Sequence, residues 1–185
     1  RGKPIEVLRE LIRETGAKQI FAEEDFTPYA RTRDAEIEHH LPLNLIQGQT
    51  VHHPAAVLKA DGKPYTVYTP YSKAWKAKLP AKLNLLPAPE KITTPVGIKS
   101  DALPPYKTNP LFPAGEKEAL VRLEEFTNYR IANYSEHRNR MDLDGTSSLS
   151  PYIRFGMIGL RQAVYTVRNR QYTAPSQGSG IWLNE

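Results

Sequence analysis

Residues 144–151, with the sequence DGTSSLSP, have the composition of an anion-binding turn. Three consecutive hydroxyl residues and a leucine precede Ser150 and Pro151, a pair typical of a helix start with Ser as N-cap and Pro at N1. Free backbone amides at a helix N-terminus and nearby hydroxyl groups together favour phosphate binding. The segment lacks the Gly-x-x-x-x-Gly-Lys pattern of a P-loop, and the alternative is a Ser-rich turn followed by an ordinary helix cap.

Two pairs of adjacent histidines, His39-His40 and His52-His53, invite a metal-binding interpretation. Adjacent side chains point to opposite faces of a strand and diverge by about 100° on a helix, so neither pair converges on one ion. The chain contains no cysteine, which excludes disulfides, thiolate metal sites and cysteine nucleophiles within it. We therefore expect surface or capping histidines and no metal site.

The net charge of +5 is distributed unevenly along the chain. Between Tyr129 and Arg170 there are seven arginines and no lysine, against three acidic residues. Guanidinium groups match phosphate oxygens bidentately, so this segment suits a nucleic-acid partner. A solvated helix face has the same composition, and charge alone favours that second interpretation.

The first 80 residues alternate between helix and strand signals. Apolar residues recur at helical spacing over residues 4–15, and Gly16 follows as a helix stop. The further predicted elements are a strand over residues 19–22, a helix over residues 29–41, a strand over residues 50–53, an edge strand or loop over residues 65–68 and a helix over residues 72–79. This alternation predicts part of a parallel α/β sheet.

Eight of the 16 prolines lie between Pro80 and Pro113, so residues 81–113 are predicted to form a connector. The pattern beyond it is helical. It predicts a helix over residues 116–134, a helix from Ser150, an amphipathic helix marked by Met157, Leu160, Val164 and Val167, and the first turn of a helix over residues 181–185. The expected fold class is α/β followed by all-α, with strands too few to complete a sheet.

Five motifs, in order along the chain, resemble those of the DNA photolyase and cryptochrome family, in particular class I cyclobutane pyrimidine dimer photolyases. They are residues 27–34 (TPYARTRD), residues 61–75 (DGKPYTVYTPYSKAW), residues 112–116 (FPAGE), the set formed by Tyr134, Arg138, residues 144–151 and Phe155-Gly156, and residues 182–185 (WLNE). One such motif is weak evidence, whereas five in family order over nearly the whole chain are specific.

The resemblance implies an α/β antenna domain ending at residue 80, a connector over residues 81–113, and the first helices of an all-helical FAD-binding domain over residues 114–185. It implies FAD contacts at Tyr134, Thr146, Ser147, Ser148, Leu149, Ser150 and Trp182. It also implies DNA contacts at Arg138 and at Glu185, the acid that would meet the damaged pyrimidine pair. The implied activity is light-driven splitting of pyrimidine dimers by electron transfer from reduced FAD, and the alternative is a cryptochrome photoreceptor.

The same resemblance implies a partner, double-stranded DNA that contains pyrimidine dimers, and a protein that is monomeric at full length. The chain has no apolar run of 18 residues, so we expect no membrane association, and a cytoplasmic or nuclear protein fits the absence of cysteines. The resemblance also allows a second antenna chromophore, deazaflavin or folate. The sequences of folate-binding members resemble Asn-Glu at the position where this chain has Tyr29-Ala30, so the identity of the antenna chromophore stays open. The resemblance also implies an internal piece of a longer enzyme, and we expect these 185 residues alone neither to bind FAD stably nor to repair DNA.

Overall fold

The chain divides into two compact units. The structure is a computed structural model that describes residues 2–81, 87, 89–105, 107 and 111–185. One unit contains the residues up to Gln49 and the connector residues that end at Pro105. The other unit contains the residues from Thr50 to Glu185, except those connector residues. Residues 1–80 therefore contribute to both units, and their assignment to one antenna domain stays a prediction.

The described residues of the N-terminal unit form two helices and two short parallel strands. In chain order these are α1 (Pro4–Thr15), β1 (Ile20–Glu23), α2 (Pro28–His40) and β2 (Leu43–Ile46). β1 and β2 pair in parallel, with Ile20 opposite Leu43. A parallel pair needs a crossover connection, which α2 provides, and α2 buries Ala30 and Ile37. The predicted parallel α/β class is thus confirmed.

Local sequence signals account for the boundaries of the first two helices. α1 ends where Gly16 adopts φ 69°, a left-handed conformation that glycine enters without a Cβ penalty. At the start of α2 the Thr27 side chain accepts a hydrogen bond from the Ala30 amide at 3.4 Å, and Pro28 occupies the first turn. Both signals lie within a few residues of the boundary they determine, which is why they are legible in the sequence.

The predicted strand over residues 50–53 is wrong, because the second strand is β2, immediately after Pro42. Pro42 ends α2 without preventing the strand, since its carbonyl oxygen accepts from the Ile20 amide at 2.9 Å. Residues 50–53 form a bend whose side chains serve other contacts. His52 Nε2 lies 3.0 Å from the Trp75 carbonyl oxygen, and His53 Nδ1 accepts from the Ala55 amide at 3.1 Å.

Apart from an isolated antiparallel bridge between Leu58 and Pro64, the regular elements in the described residues of the C-terminal unit are helical. A 3-10 turn (Pro54–Ala56) is followed by α3 (Tyr68–Ala77), α4 (Glu116–Glu125), a π-helical turn (Phe126–Arg130), a 3-10 turn (Ile131–Asn133), α5 (Tyr134–His137), α6 (Ser150–Arg154), α7 (Leu160–Thr173) and α8 (Gln177–Trp182). Two buried clusters form its core, one around Tyr152 and Leu149 and the other around Phe126 and Val167, and Trp182 packs against both. The predicted all-α part is confirmed.

The largest differences from the predicted helix boundaries in this unit concern α3 and the helix that begins at Glu116. α3 begins at Tyr68 rather than Ser72, because Pro70 lies in the first helical turn, where a missing amide costs little. The predicted continuous helix over residues 116–134 changes to π and 3-10 geometry after Glu125. There the Thr127 hydroxyl donates to the Leu123 and Glu124 carbonyl oxygens at 2.8 and 3.1 Å, a back-bonding that competes with the helical ladder.

Three smaller corrections concern α6, α7 and α8. Ser150 is the first residue of α6 rather than its N-cap, which is Leu149 in a helical conformation without a side-chain cap. Met157 lies before α7, which starts at Leu160. The helix predicted to start at residue 181 starts earlier, at Gln177, because Ser176 caps α8 by accepting from the Ser179 amide at 3.1 Å.

The described connector residues between 87 and 113 form neither helix nor strand, as their prolines predict. In the described part of the chain, no helix has the length and apolarity needed to span a membrane.

Candidate functional site

A cavity of about 440 Å³ lies within the C-terminal unit, a volume and composition typical of small-molecule sites. Residues of α3, α6, α7 and α8 contribute to its lining, which includes both tryptophans of the chain. Five of the predicted site residues line it, namely Ser147, Leu149, Ser150, Trp182 and Glu185. The structure thus brings together the Ser-rich segment and the C-terminal motif, which lie more than 30 residues apart in sequence.

The Ser turn, residues 146–150, borders the cavity through Ser147, Leu149 and Ser150. Ser147 and Ser150 line the cavity, and their hydroxyl groups have no hydrogen-bond partner among the described residues. Ser148 adopts φ 51°, a left-handed conformation that costs a non-glycine residue energy and is common at ligand sites. The Thr146 hydroxyl lies 3.4 Å from the Ser148 hydroxyl. The turn therefore presents unused hydroxyl groups to the cavity.

Gly145 holds the Ser turn close to His137, the last residue of α5. A Cβ at this position would lie 2.5 Å from the His137 carbonyl oxygen and 2.6 Å from the His137 Cβ. Only glycine permits this approach of the two backbones.

The charged cluster, formed by Tyr134, Arg138 and Glu185, differs from the Ser turn because its polar side chains bind one another. The Tyr134 hydroxyl donates to Glu185 Oε2, and Arg138 Nη1 pairs with Glu185 Oε1, so both carboxylate oxygens are engaged. Burial raises the pKa of Tyr134, and the nearby Arg138 charge partly offsets this rise. Tyr134 is 6% exposed and, like Arg138, does not line the cavity; both act on it through Glu185.

Close packing of α8 places Trp182 and Glu185 at the cavity. A Cβ on Gly178 would overlap the Ile131 carbonyl oxygen and lie 3.0 Å from the Tyr134 amide nitrogen, so α8 rests directly on the backbone that precedes α5. Phe126 packs between the aromatic rings of the site, 5.7 Å from Tyr134 and 6.2 Å from Trp182 by ring centroids. These contacts fix the end of α8 relative to α5.

Comparison with known proteins identifies the family. The family model described as DNA photolyase matches residues 1–91. The chain is 34% identical over 182 residues to the deoxyribodipyrimidine photo-lyase of Synechococcus sp., a match that covers 88% of this chain and 37% of that protein. The crystal structure of a class III photolyase from Agrobacterium tumefaciens is similar with a TM-score of 0.75 at 25% identity, over 96% of this chain and 40% of that one. The chain belongs to the photolyase and cryptochrome family.

A second solved structure shares the fold alone. It is a cryptochrome from Synechocystis sp., with a TM-score of 0.77 at 22% identity, covering 98% of this chain and 42% of that one. The photolyase-family chain thus spans about two fifths of the length of the proteins it matches. The fold class expected from the sequence agrees with both structures.

α3 is the part of this photolyase-family site that sequence reasoning missed. Four of its residues line the cavity, Tyr68, Tyr71, Ser72 and Trp75, and the His52 ring packs edge-on against Trp75 at a centroid distance of 5.2 Å. The motif over residues 61–75 supported the family resemblance, but no binding role was assigned to it. Its aromatic residues, three of them at helical spacing, were the only available signal.

Most of the arginines between Tyr129 and Arg170 have partners inside the chain. Arg130 pairs with Asp144, and Arg138 pairs with Glu185. Arg140 pairs with Asp142 through two contacts of 2.5 and 2.7 Å, and this hydrogen bonding lowers the pKa of the Asp142 carboxyl. Arg168 lies over the rings of Tyr165 and Tyr172. The excess positive charge available to a partner is therefore smaller than the sequence indicates.

The histidine pairs have structural contacts. His53 caps the following 3-10 turn, which confirms the expectation of a capping histidine, and the rings of His39 and His40 pack edge-to-face at 4.7 Å. Over the described ranges, no three or more His, Asp or Glu side chains lie close enough together to hold a metal ion.

Proposed function

We propose that the whole protein reverses cyclobutane pyrimidine dimers in double-stranded DNA with blue light and FAD, the reaction of a deoxyribodipyrimidine photo-lyase, a carbon–carbon lyase. The observation that carries the proposal is the presence of Ser147, Ser150, Trp182 and Glu185 around one cavity. Relatives that bear the name deoxyribodipyrimidine photo-lyase at 26–34% identity support it.

The cavity residues fit FAD chemically. Ser147 and Ser150 offer hydroxyl donors that have no partner among the described residues, which suits a diphosphate. The Thr146 and Ser148 hydroxyl groups and the Leu149 amide belong to the same turn. Trp75 and Trp182 give the cavity aromatic walls for a planar ring. Reduced FAD, when bound, would supply the photoexcited electron that splits the dimer. Tyr134 does not line the cavity and would act on it through its hydrogen bond to Glu185.

Glu185 is the residue through which we expect the damaged bases to be recognised. Its carboxylate borders the cavity and is 45% exposed, while Tyr134 and Arg138 restrain both oxygens. Carboxylate oxygens accept more than one hydrogen bond each, so lone pairs remain for the N–H groups of extruded pyrimidines. Photolyases are among the enzymes that take their target bases out of the DNA stack, and Arg138 beside Glu185 would face the same strand.

Nothing in the described part of the chain supports a second chromophore, deazaflavin or folate, and that expectation stays a prediction. The monomeric state of the whole protein stays one as well.

A repair assay tests the proposed function. The whole protein, loaded with FAD and reduced, is mixed with an oligonucleotide that carries one thymine dimer, and intact thymines are measured after blue light and after darkness. We expect loss of the dimer in the light only. Bound FAD without any repair would instead favour a photoreceptor role, the function of cryptochromes, to one of which the chain is similar in fold.

A further inference from the structure

Two residues of α3 donate hydrogen bonds to Asn184, the residue directly before Glu185. The Tyr68 hydroxyl donates to the Asn184 carbonyl oxygen, and the Lys76 ammonium donates to Asn184 Oδ1. Tyr68, Ser72 and Lys76 follow one another at a spacing of four residues, so they share a face of α3. Ser72 on that face lines the cavity. The same face thus forms part of the cavity wall and contacts the turn that carries Glu185.

The Asn184-Glu185 turn has a second support in α8. The Asn184 amide donates to the Ile181 carbonyl oxygen at 2.9 Å, and the Glu185 amide donates to the Trp182 carbonyl oxygen at 3.2 Å. These bonds continue the helical geometry of α8 but leave the side of the turn facing α3 to other partners. Tyr68 and Lys76 occupy that side, on a segment more than 100 residues earlier in sequence.

We propose that Tyr68 and Lys76 are positioning residues for Glu185, which makes α3 the element that sets the carboxylate against the cavity. Neither residue touches the Glu185 carboxylate; both fix the backbone and side chain of its neighbour Asn184. The contact of Glu185 with damaged DNA rests on the proposed function, whereas the positioning of Glu185 by α3 does not.

Nuclear magnetic resonance of the chain tests the positioning. The Arg138 side-chain Nε–H signal, assigned by its loss in Arg138→Lys, reports the Glu185 contact, and Glu185→Gln sets the size of its shift on losing that contact. We expect Tyr68→Phe and Lys76→Met to move the signal in the same direction, and Lys76→Arg, which keeps a donor, to restore it. Lys73→Met is the matched control, an exposed lysine on the same helix. An Arg138 signal that stays in place in both variants would overturn the proposal.

DNA binding by the FAD-loaded whole protein tests the consequence separately. Because a hydrogen bond in folded protein is worth a modest net amount, Lys76→Met should weaken binding to a dimer-containing duplex about threefold to tenfold. Binding to the undamaged duplex should change less than about twofold, since α3 then acts only through the lesion-contacting acid. Equal weakening for both duplexes would show a merely structural role and overturn the proposal. If the proposed function is wrong, the unsubstituted protein itself should bind the damaged and the undamaged duplex equally.

Discussion

The Ser turn borders the cavity directly and the charged cluster borders it through Glu185, yet the two regions satisfy their polar groups in opposite ways. In the Ser turn, the Ser147 and Ser150 hydroxyl groups have no partner among the described residues. In the charged cluster, both oxygens of Glu185 are already engaged, one by Tyr134 and one by Arg138. The turn leaves its hydrogen-bonding capacity for a ligand, whereas the cluster uses most of its capacity to orient one carboxylate.

This difference indicates a division of work at the site. Loose donors are suited to holding the anionic part of a cofactor, because the ligand completes their hydrogen bonds. A restrained carboxylate is suited to recognition, because its direction is settled before the substrate arrives. Both regions depend on residues 131–138, against which Gly145 docks the Ser turn and Gly178 docks α8.

The largest expected effect comes from separating α8 from the backbone beneath it. Gly178→Ala places a methyl group on the Ile131 carbonyl oxygen, and since backbone cannot yield as a side chain does, we expect a loss of about 2–3 kcal/mol in the free energy of unfolding. Gly180→Ala is the matched control in the same helix, where a Cβ meets nothing within 4 Å, and it should be neutral or stabilising by about 0.5–1 kcal/mol. Urea denaturation of the chain measures both. Equal stability of the two variants would mean that α8 does not lie against residues 131–134.

Glu185→Gln separates recognition from cofactor binding. Loss of the negative charge should weaken affinity of the whole protein for dimer-containing DNA about tenfold, the value of one charged hydrogen bond, while the flavin absorption spectrum stays the same. Titration of a fluorescent duplex and an absorption spectrum measure the two. Loss of FAD from this variant would show that Glu185 takes part in cofactor binding.

Arg138→Ala tests whether this arginine contacts phosphate as well as Glu185. If it does, the slope of log affinity against log salt concentration should become shallower by about one contact. The exposed Arg154 gives a comparison variant, Arg154→Ala, on α6. Binding isotherms of the whole protein at several salt concentrations provide the slopes. An unchanged slope in Arg138→Ala would restrict its role to holding Glu185.

The smallest expected effect concerns alkaline pH. Because burial raises the pKa of Tyr134 above the ordinary value of about 10, the folded chain holds this proton more tightly than the unfolded chain. Its contribution to stability is complete below about pH 10 and is lost as the pH rises through the folded pKa. Tyr134→Phe should flatten the alkaline decline in stability. The exposed Tyr129 supplies the control, and a decline equally steep in Tyr134→Phe and Tyr129→Phe would contradict this account.

The sequence predicted the parts of the fold whose signals are local. Gly16 ends α1, and Thr27 with Pro28 starts α2, within a few residues of the boundaries they determine. β2 escaped prediction because four residues after Pro42 carry too little pattern to outweigh the β-branched pair Thr50-Val51, which lies before Pro54. Gly178 gave no signal of its role, since a glycine that permits close backbone contact is indistinguishable in sequence from one in a loop.

The candidate site shows the same limit. The Ser turn could be predicted because its hydroxyl residues are consecutive. The pairing of Tyr134 with Glu185 joins residues 51 positions apart, and the contacts of α3 with Asn184 join residues more than 100 apart. Contacts of this kind depend on how helices pack, and no spacing pattern in the chain encodes them.

Comparing FAD with riboflavin, which lacks the phosphates, tests the division of work most directly. Dissociation constants of both for the whole protein give a preference for FAD, measured in the unsubstituted protein, in Ser147→Ala with Ser150→Ala, and in Glu185→Gln. We predict that the double serine variant loses most of this preference while Glu185→Gln keeps it. A preference that survives in the serine variant and disappears in Glu185→Gln would contradict the assignment of the Ser turn to the cofactor phosphates.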